Sequence, residues 1–252
     1  MKQHAHPRHV LVSDLDDTLL GKPEALARFR EFCDENPDLL GVVYASGRFC
    51  DSIQESIDTT RLPEPLATIG GVGSEIRLYP GREPLRQWWD RISDGWSERE
   101  VRRLLAEFPD LKPQPEASQS AYKVSYFYPD AEPADLHRLE EHLTDAGLNI
   151  SLIYSSKRDL DILPHNVNKG SAASFLINYL GYGPEVVFGS GNSSNDAQLM
   201  GHGFAGIIVG NAHDDLKALG DRDRVYVAEK TYADGVLEGI RHWLEVEKEK
   251  TS

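Results

Sequence analysis

Short, unbroken apolar runs that alternate with helical patterns constrain this chain more than any other feature. The first run, His9-Val10-Leu11-Val12-Ser13, suits a strand buried on both faces, and it stops on Asp14-Leu15-Asp16-Asp17-Thr18. A helical pattern over 23–33 follows. A second run, Gly41-Val42-Val43-Tyr44-Ala45, closes on Ser46-Gly47-Arg48, and a third lies at 66–69. Strands alternating with helices imply a parallel sheet covered on both faces. From about residue 80 the rhythm changes. A charged, Trp-rich stretch leads to a helix over 97–108, an alternating run at 122–128, a helix over 134–146, and strands at 150–154 and 160–163. The first rhythm then returns, with helices over 169–180, within 190–200, over 213–219 and over 234–248, and strands at 186–189, 206–209 and 224–227. The expected architecture is α/β: a Rossmann-like parallel-sheet core from 1–79 and 165–252, with an α+β cap, 80–164, inserted in it.

Composition removes several function classes. Lys+Arg 27 against Asp+Glu 41 gives a net charge of −14. Nucleic acid and anionic membrane need clustered cations and are not expected partners. No apolar run reaches the roughly 18 residues of a membrane span. The first nine residues lead straight into a strand with no signal-peptide apolar region. The two cysteines, Cys33 and Cys50, make no disulfide framework, so a cytoplasmic home is expected. These features do not forbid a small anionic substrate, and a monomer or weak homo-oligomer acting on a small molecule is expected.

Four polar clusters fall at the carboxyl ends of core strands, where open α/β sheets bind their ligands. Asp14 and Asp16 are two residues apart in extended chain, so both carboxylates can face one crevice. Such a pair serves as metal ligand and proton donor, or as nucleophile and acid; a solvated acidic turn is the bland alternative. Ser46 and Gly47 precede a helical stretch, where a hydroxyl and free amides suit phosphate oxygens. Lys169 opens another helix and is positioned to clamp a phosphate. Gly191-Asn192-Ser193-Ser194-Asn195-Asp196 follows a buried strand, and Asp196 is a candidate metal ligand. Gly70, Gly71 and Gly73 lack the spacing of a dinucleotide fingerprint and read as a tight turn. In the cap, Trp88, Trp89 and Trp96 are candidates for stacking on sugar rings, although packing of a small cap is the commoner role for such residues. Lys123 and Tyr126 are candidates for reaching sugar hydroxyls, with Glu75, Arg158 and Asp161 near the cap–core junction.

The set Asp14-Leu15-Asp16-Asp17-Thr18, Ser46, Lys169 and Gly191 to Asp196, in that order, resembles the four motifs of the haloacid dehalogenase superfamily of phosphatases. A cap between the second and third motifs resembles its sugar-phosphatase branch. The stretches Gly70-Gly71-Val72-Gly73-Ser74-Glu75, Asn168-Lys169-Gly170, Val209-Gly210-Asn211-Ala212 and Ala233-Asp234-Gly235 resemble the sucrose-phosphate phosphatase family. So does the run from Tyr154 to Pro164, which with Asp234 to Trp243 is similar to mannosylfructose-phosphate relatives.

The resemblance implies a role for each residue. Asp14 is the expected nucleophile and carrier of an aspartyl-phosphate, and Asp16 the acid/base. Ser46, Gly47 and Lys169 are expected to hold the phosphoryl group, and Asn195 to support that shell. Mg²⁺ is the implied cofactor, on Asp14, Asp16, Asn192 and Asp196; no Cys/His cluster argues for zinc, and His4, His6 and His9 read as a loose tail. The implied substrate is a fructosyl-6-phosphate disaccharide, sucrose-6-phosphate or mannosylfructose-6-phosphate. One departure stands out: the fourth motif of that superfamily has an acidic residue directly after its glycine, and this chain has Asn192. That substitution carries the alternative of a sugar-phosphate-binding pseudoenzyme with a weakened metal site. The insertion and the length argue strongly against a receiver-type signalling domain, which also carries a phosphorylated Asp.

Overall fold

The computed structural model describes residues 6–251. In chain order the strands are β1 (His9–Ser13), β2 (Leu40–Ala45), β3 (Ala67–Gly70), β4 (Glu75–Leu78) and β5 (Glu83–Pro84). Then come β6 (Lys112–Pro113), β7 (Val124–Phe127), β8 (Ile150–Ser155) and β9 (Asp159–Pro164). The last are β10 (Val187–Gly191), β11 (Ala205–Ile208) and β12 (Val225–Val227). The helices are α1 (Pro23–Glu35), α2 (Cys50–Thr60), α3 (Arg86–Ile92) and α4 (Glu98–Leu105). They continue with α5 (Pro133–Asp145), α6 (Lys169–Tyr179), α7 (Asp214–Lys217) and α8 (Tyr232–Thr251).

The strands form two sheets. The larger runs β12-β11-β10-β1-β2-β3-β4-β5; every pairing from β12 to β3 is parallel, and β4 and β5 add an antiparallel edge. Val10, Leu11 and Val12 of β1 are fully buried, as an unbroken apolar run in a doubly covered sheet requires. From β1 the sheet is built outward both ways, through β2 and β3 on one side and β10 to β12 on the other. That reversal opens a crevice at the carboxyl ends of β1 and β10. The smaller sheet, β6-β7-β9-β8, is antiparallel throughout and has its own core, with Val101 and Leu105 of α4, Leu139 and Leu143 of α5, and Leu160 and Ile162 of β9.

Residues 80–92, assigned by sequence to the inserted unit, pack with the large sheet. β5 pairs with β4, and Leu85, Trp88 and Ile92 lie in the larger core. Trp88 donates from Nε1 to the Gly73 carbonyl at 2.8 Å and tilts against Phe175 at 5.1 Å. Trp89 donates to the Ser74 carbonyl and Trp96 to that of Ala121. The three indoles are packing elements, the commoner of the two roles read for them in the sequence. Trp88→Ala should cost about 3–5 kcal/mol, the usual penalty for emptying a buried indole site, read as a lowered denaturant midpoint.

Gly71–Gly73 form one 3-10 turn between β3 and β4, the tight turn expected there. Gly73 has φ 105°, and a Cβ on it would overlap the carbonyl of Asn168. This close approach brings the turn against the start of α6. Nor is the N-terminal histidine tail loose throughout. His9 opens β1, is buried, stacks on Phe188 at 5.2 Å and faces Glu247; His6 lies against Tyr182. His4 falls outside the described residues.

Candidate active site

Asp14 follows β1 directly, and its amide donates to the Ser190 carbonyl of β10 at 3.0 Å. The chain then folds back sharply, with the amides of Thr18, Leu19 and Leu20 all donating to the Leu15 carbonyl. This return places Thr18 beside Asp14, where its hydroxyl donates to Asp14 Oδ2 at 3.0 Å. The same hydroxyl lies 3.3 Å from Asn192 Oδ1, just past β10. Two acceptor oxygens therefore converge on one proton.

Lys169 is the first residue of α6, whose N-terminus is capped by the Asn168 side chain. Its Nζ is 2.7 Å from both Asp14 Oδ1 and Asp196 Oδ1. The lysine is 1% exposed and Asp196 0%, so the ammonium is surrounded by the charges it neutralises. The other Asp196 oxygen accepts from the amides of Asn192 and Ser193 at 3.0 and 3.1 Å. Both carboxylate oxygens of Asp196 are thus engaged beneath the crevice, and the metal-ligand role expected for it is not what this geometry supports. Gly191 is needed here, since a Cβ on it would overlap the Asp196 side chain. Residues 194–200 form 3-10 turns where an α-helix was expected. Burial pushes the Asp14 carboxyl up to about 7 against the pull of Lys169, while its two carboxylates raise the Lys169 ammonium.

Asp16 differs from Asp14 in being open to the crevice. Its side chain is 58% exposed and 2.9 Å from Arg48 Nε. Ser46 is buried after β2, and its Oγ accepts from the Arg48 amide at 3.1 Å, which leaves the hydroxyl proton free to point elsewhere. Helix α2 begins only at Cys50, so Ser46 and Gly47 act from a loop. The first amide of α2, on Cys50, is taken by the Glu75 carboxylate, which also faces Arg77 at 3.8 Å. Glu75, expected to meet substrate, lines the cleft and also caps this helix.

The small sheet covers the crevice. Together they enclose about 1020 Å³, lined below by Asp14, Asp16, Ser46, Gly47, Asn192 and Asn195, and above by Lys123, Arg158 and Asp161. Lys123 Nζ lies 2.9 Å from Asp161 Oδ1, and Ser125 Oγ bridges the pair, accepting at 2.8 Å and donating at 2.6 Å. Lys123 also sits 5.5 Å above the Phe49 ring, across the cleft. Arg158 is held over Phe127 and paired with Asp159. Asn195 accepts from the Ser193 hydroxyl at 3.1 Å. Tyr126 is buried in the small core: alternation along a strand sends Lys123 and Tyr126 to opposite faces, so only Lys123 meets the cleft. Sequence reasoning passed over Thr18 and Arg48. Their signals were a hydroxyl four residues after Asp14 and a cation two residues after Ser46.

Among the described residues no group of three His, Cys, Asp or Glu side chains is arranged to hold a metal. The floor nonetheless offers oxygens alone. Asp14 Oδ2 and Asn192 Oδ1 compete for the single Thr18 proton, a donor shortage that a hard, oxygen-seeking cation would relieve.

This topology, with a crevice at the reversal of strand order and a second sheet above it, is that of the haloacid dehalogenase superfamily. A haloacid dehalogenase-like hydrolase from Bacillus subtilis shares the fold at TM-score 0.65 and 17% identity, over 95% of this chain and 93% of that one. Residues 7–244 match the family model of sucrose-6F-phosphate phosphohydrolase, and the chain belongs to that family of phosphoric monoester hydrolases. It is 34% identical over 241 residues to mannosylfructose-phosphate phosphatase of Agrobacterium fabrum, covering 94% of this chain and 97% of the relative. To sucrose-phosphatase 1 of Nicotiana tabacum it is 32% identical, spanning 94% of its own length and 59% of that longer protein. A solved structure of the sucrose-phosphatase from Synechocystis, in complex with sucrose and phosphate, matches at TM-score 0.88 and 32% identity, over 94% of this chain and 98% of that one. No helix among the described residues is long and apolar enough to cross a membrane.

Proposed function

We propose that this chain hydrolyses the phosphate ester of a fructosyl-6-phosphate disaccharide, either sucrose-6-phosphate or mannosylfructose-6-phosphate, through an aspartyl-phosphate on Asp14. One observation carries the reading: a buried carboxylate, with Lys169 and a free Ser46 hydroxyl around it, faces a cleft of about 1020 Å³ closed above by polar side chains. The names of the relatives supply the two candidate sugars.

In this reading Asp14 attacks phosphorus and the bond to the sugar oxygen breaks. Asp16, exposed at the cleft surface beside Arg48, gives its proton to that oxygen and then takes one from the attacking water. The Ser46 hydroxyl, the Gly47 amide and Lys169 hold the phosphoryl oxygens, with Asn195 supporting that shell. Mg²⁺, when bound by Asp14, Asn192 and the Asp16 main chain, supplies positive charge to the phosphoryl oxygens.

Residues 93–164 act as the cap, whose Lys123, Asp161 and Arg158 read the distal sugar. The protein works as a monomer or weak homo-oligomer. A cytoplasmic setting is supported by Cys33 and Cys50, both buried as free thiols.

Phosphate release from fructose-6-phosphate and the two disaccharide phosphates tests this proposal. Wild type should prefer a disaccharide. Lys123→Met should raise KM for that substrate by about tenfold or more and leave fructose-6-phosphate unchanged, since losing a required hydrogen bond in a polar subsite is expensive. Equal kcat/KM for all three substrates would overturn the role given to the cap, and absence of release from any of them would overturn the reaction.

A further inference from the structure

We propose that a divalent cation and the phosphoryl group bind this floor as a coupled pair, each holding weakly without the other. The inference rests on the phosphatase reading above and adds a binding order set by the charges of this chain. Around Asp14 there are three carboxylates, Asp14, Asp16 and Asp196, and two cations, Lys169 and Arg48. Asn192 contributes an oxygen and no charge. The floor therefore carries about one net negative charge, and that charge is spread over groups already paired.

The oxygens left open to a cation are few. Asp196 is fully engaged and 0% exposed. One Asp14 oxygen is held by Lys169 at 2.7 Å, which leaves Asp14 Oδ2 and the neutral Asn192 Oδ1 on either side of the Thr18 hydroxyl. Mg²⁺ gives up its water reluctantly and is commonly held by one or two carboxylates together with substrate phosphates. A single shared carboxylate, one amide oxygen and the Asp16 main-chain carbonyl, with only one negative charge among them, are a poor exchange for that water. A phosphoryl dianion brings both the missing charge and further oxygens. In turn, a dianion approaching a floor of net negative charge is repelled until a cation lies between. Each partner therefore raises the affinity of the other, and thermodynamic linkage makes the two enhancements equal. The free protein stays largely without metal and loads cation and phosphate ester together.

Mn²⁺ is the probe, followed by the electron paramagnetic resonance signal of the free ion. Intact wild-type and Asn192→Asp proteins are titrated with and without inorganic phosphate, against a protein-free blank. In wild type, phosphate should tighten Mn²⁺ binding by about tenfold or more, the scale of one charge-assisted contact. Asn192→Asp should bind Mn²⁺ about tenfold more tightly without phosphate and gain less from it. Equal wild-type affinity with and without phosphate would overturn the coupling. So would no Mn²⁺ binding under any condition, while the same phosphate effect in both proteins would overturn the origin given to the coupling in the charge missing at Asn192. Sugar-phosphate hydrolysis is measured separately. Coupled binding without hydrolysis sustains this inference and removes the proposed reaction; hydrolysis with uncoupled binding does the reverse.

Discussion

Asp14→Asn should abolish phosphate release and leave the fold standing. The amide keeps the size of the carboxylate, and its single oxygen can still accept from Lys169, 2.7 Å away; its NH2 then donates to the Thr18 hydroxyl oxygen, 3.0 Å away, but the amide is no nucleophile toward phosphorus. Removing the attacking group of an enzyme that works through a covalent intermediate lowers kcat by about a thousandfold or more. The variant gives up a carboxylate whose burial already disfavours its charge, so its melting temperature should stay within a few degrees of wild type, roughly the span of a 1 kcal/mol change. Phosphate release and thermal melting on one preparation check both halves. Retained turnover would move the nucleophile elsewhere, and a collapsed melt would make the loss of activity uninformative about chemistry.

The second large effect is on stability. Lys169→Met should destabilise the protein by about 3–5 kcal/mol, because it leaves Asp14 and Asp196 facing each other in the interior with no counter-charge. For a chain of this size that corresponds to a melting temperature lower by roughly 6–20 °C. The methionine fills much of the lysine's volume, so packing accounts for little of the loss. Lowering the pH should relieve the variant: once one carboxyl is protonated, the pair no longer needs a cation. The folded-state Asp14 carboxyl already titrates near 7, above an ordinary aspartate. Its ionisation costs stability as pH rises, and without Lys169 the carboxyl should lose its proton later still, so the deficit of the variant should widen as pH rises through about 7. A deficit that does not change with pH would show that the lysine acts through packing. Activity should fall as well, since Lys169 is one of the groups expected to hold the phosphoryl oxygens.

The parallel core and the four strand-end clusters were legible because buried strands write themselves as unbroken apolar runs, and ligand sites of such sheets lie at their carboxyl ends. Asp14, Ser46, Lys169 and Asn192 met where that logic placed them. Other errors came from information a linear chain does not hold. Asp196 has the side chain of a metal ligand, yet two backbone amides and Lys169 occupy it, and those partners arrive only with the tertiary fold. Glu75 lines the cleft, but its second task, holding the first amide of α2, appears only once the turn after β3 has brought it there. The assignment of Tyr126 beside Lys123 was avoidable, since a separation of three residues on a strand already forbids a common face. Residues 80–92 were misplaced because a two-residue edge strand gives no periodic signal, and packing tryptophans suit a small cap as well as a large sheet.

The reversal of strand order at β1 has a consequence for how the protein is made. Ser13, at the end of β1, meets its hydroxyl partner Ser190 across a separation of 177 residues. At translation speeds of about 5–20 residues per second, Asp14 leaves the ribosome roughly 10–35 seconds before the strand that completes its surroundings. Through that interval the first three strands have only one flank, and the carboxylate waits without Lys169. The small sheet has no such wait, since β6 to β9 come from one continuous stretch and can assemble as they emerge. The last part of the molecule to take shape on the nascent chain should therefore be the floor of its own cleft, and a chain stalled before β10 should carry a folded roof over an unfinished site.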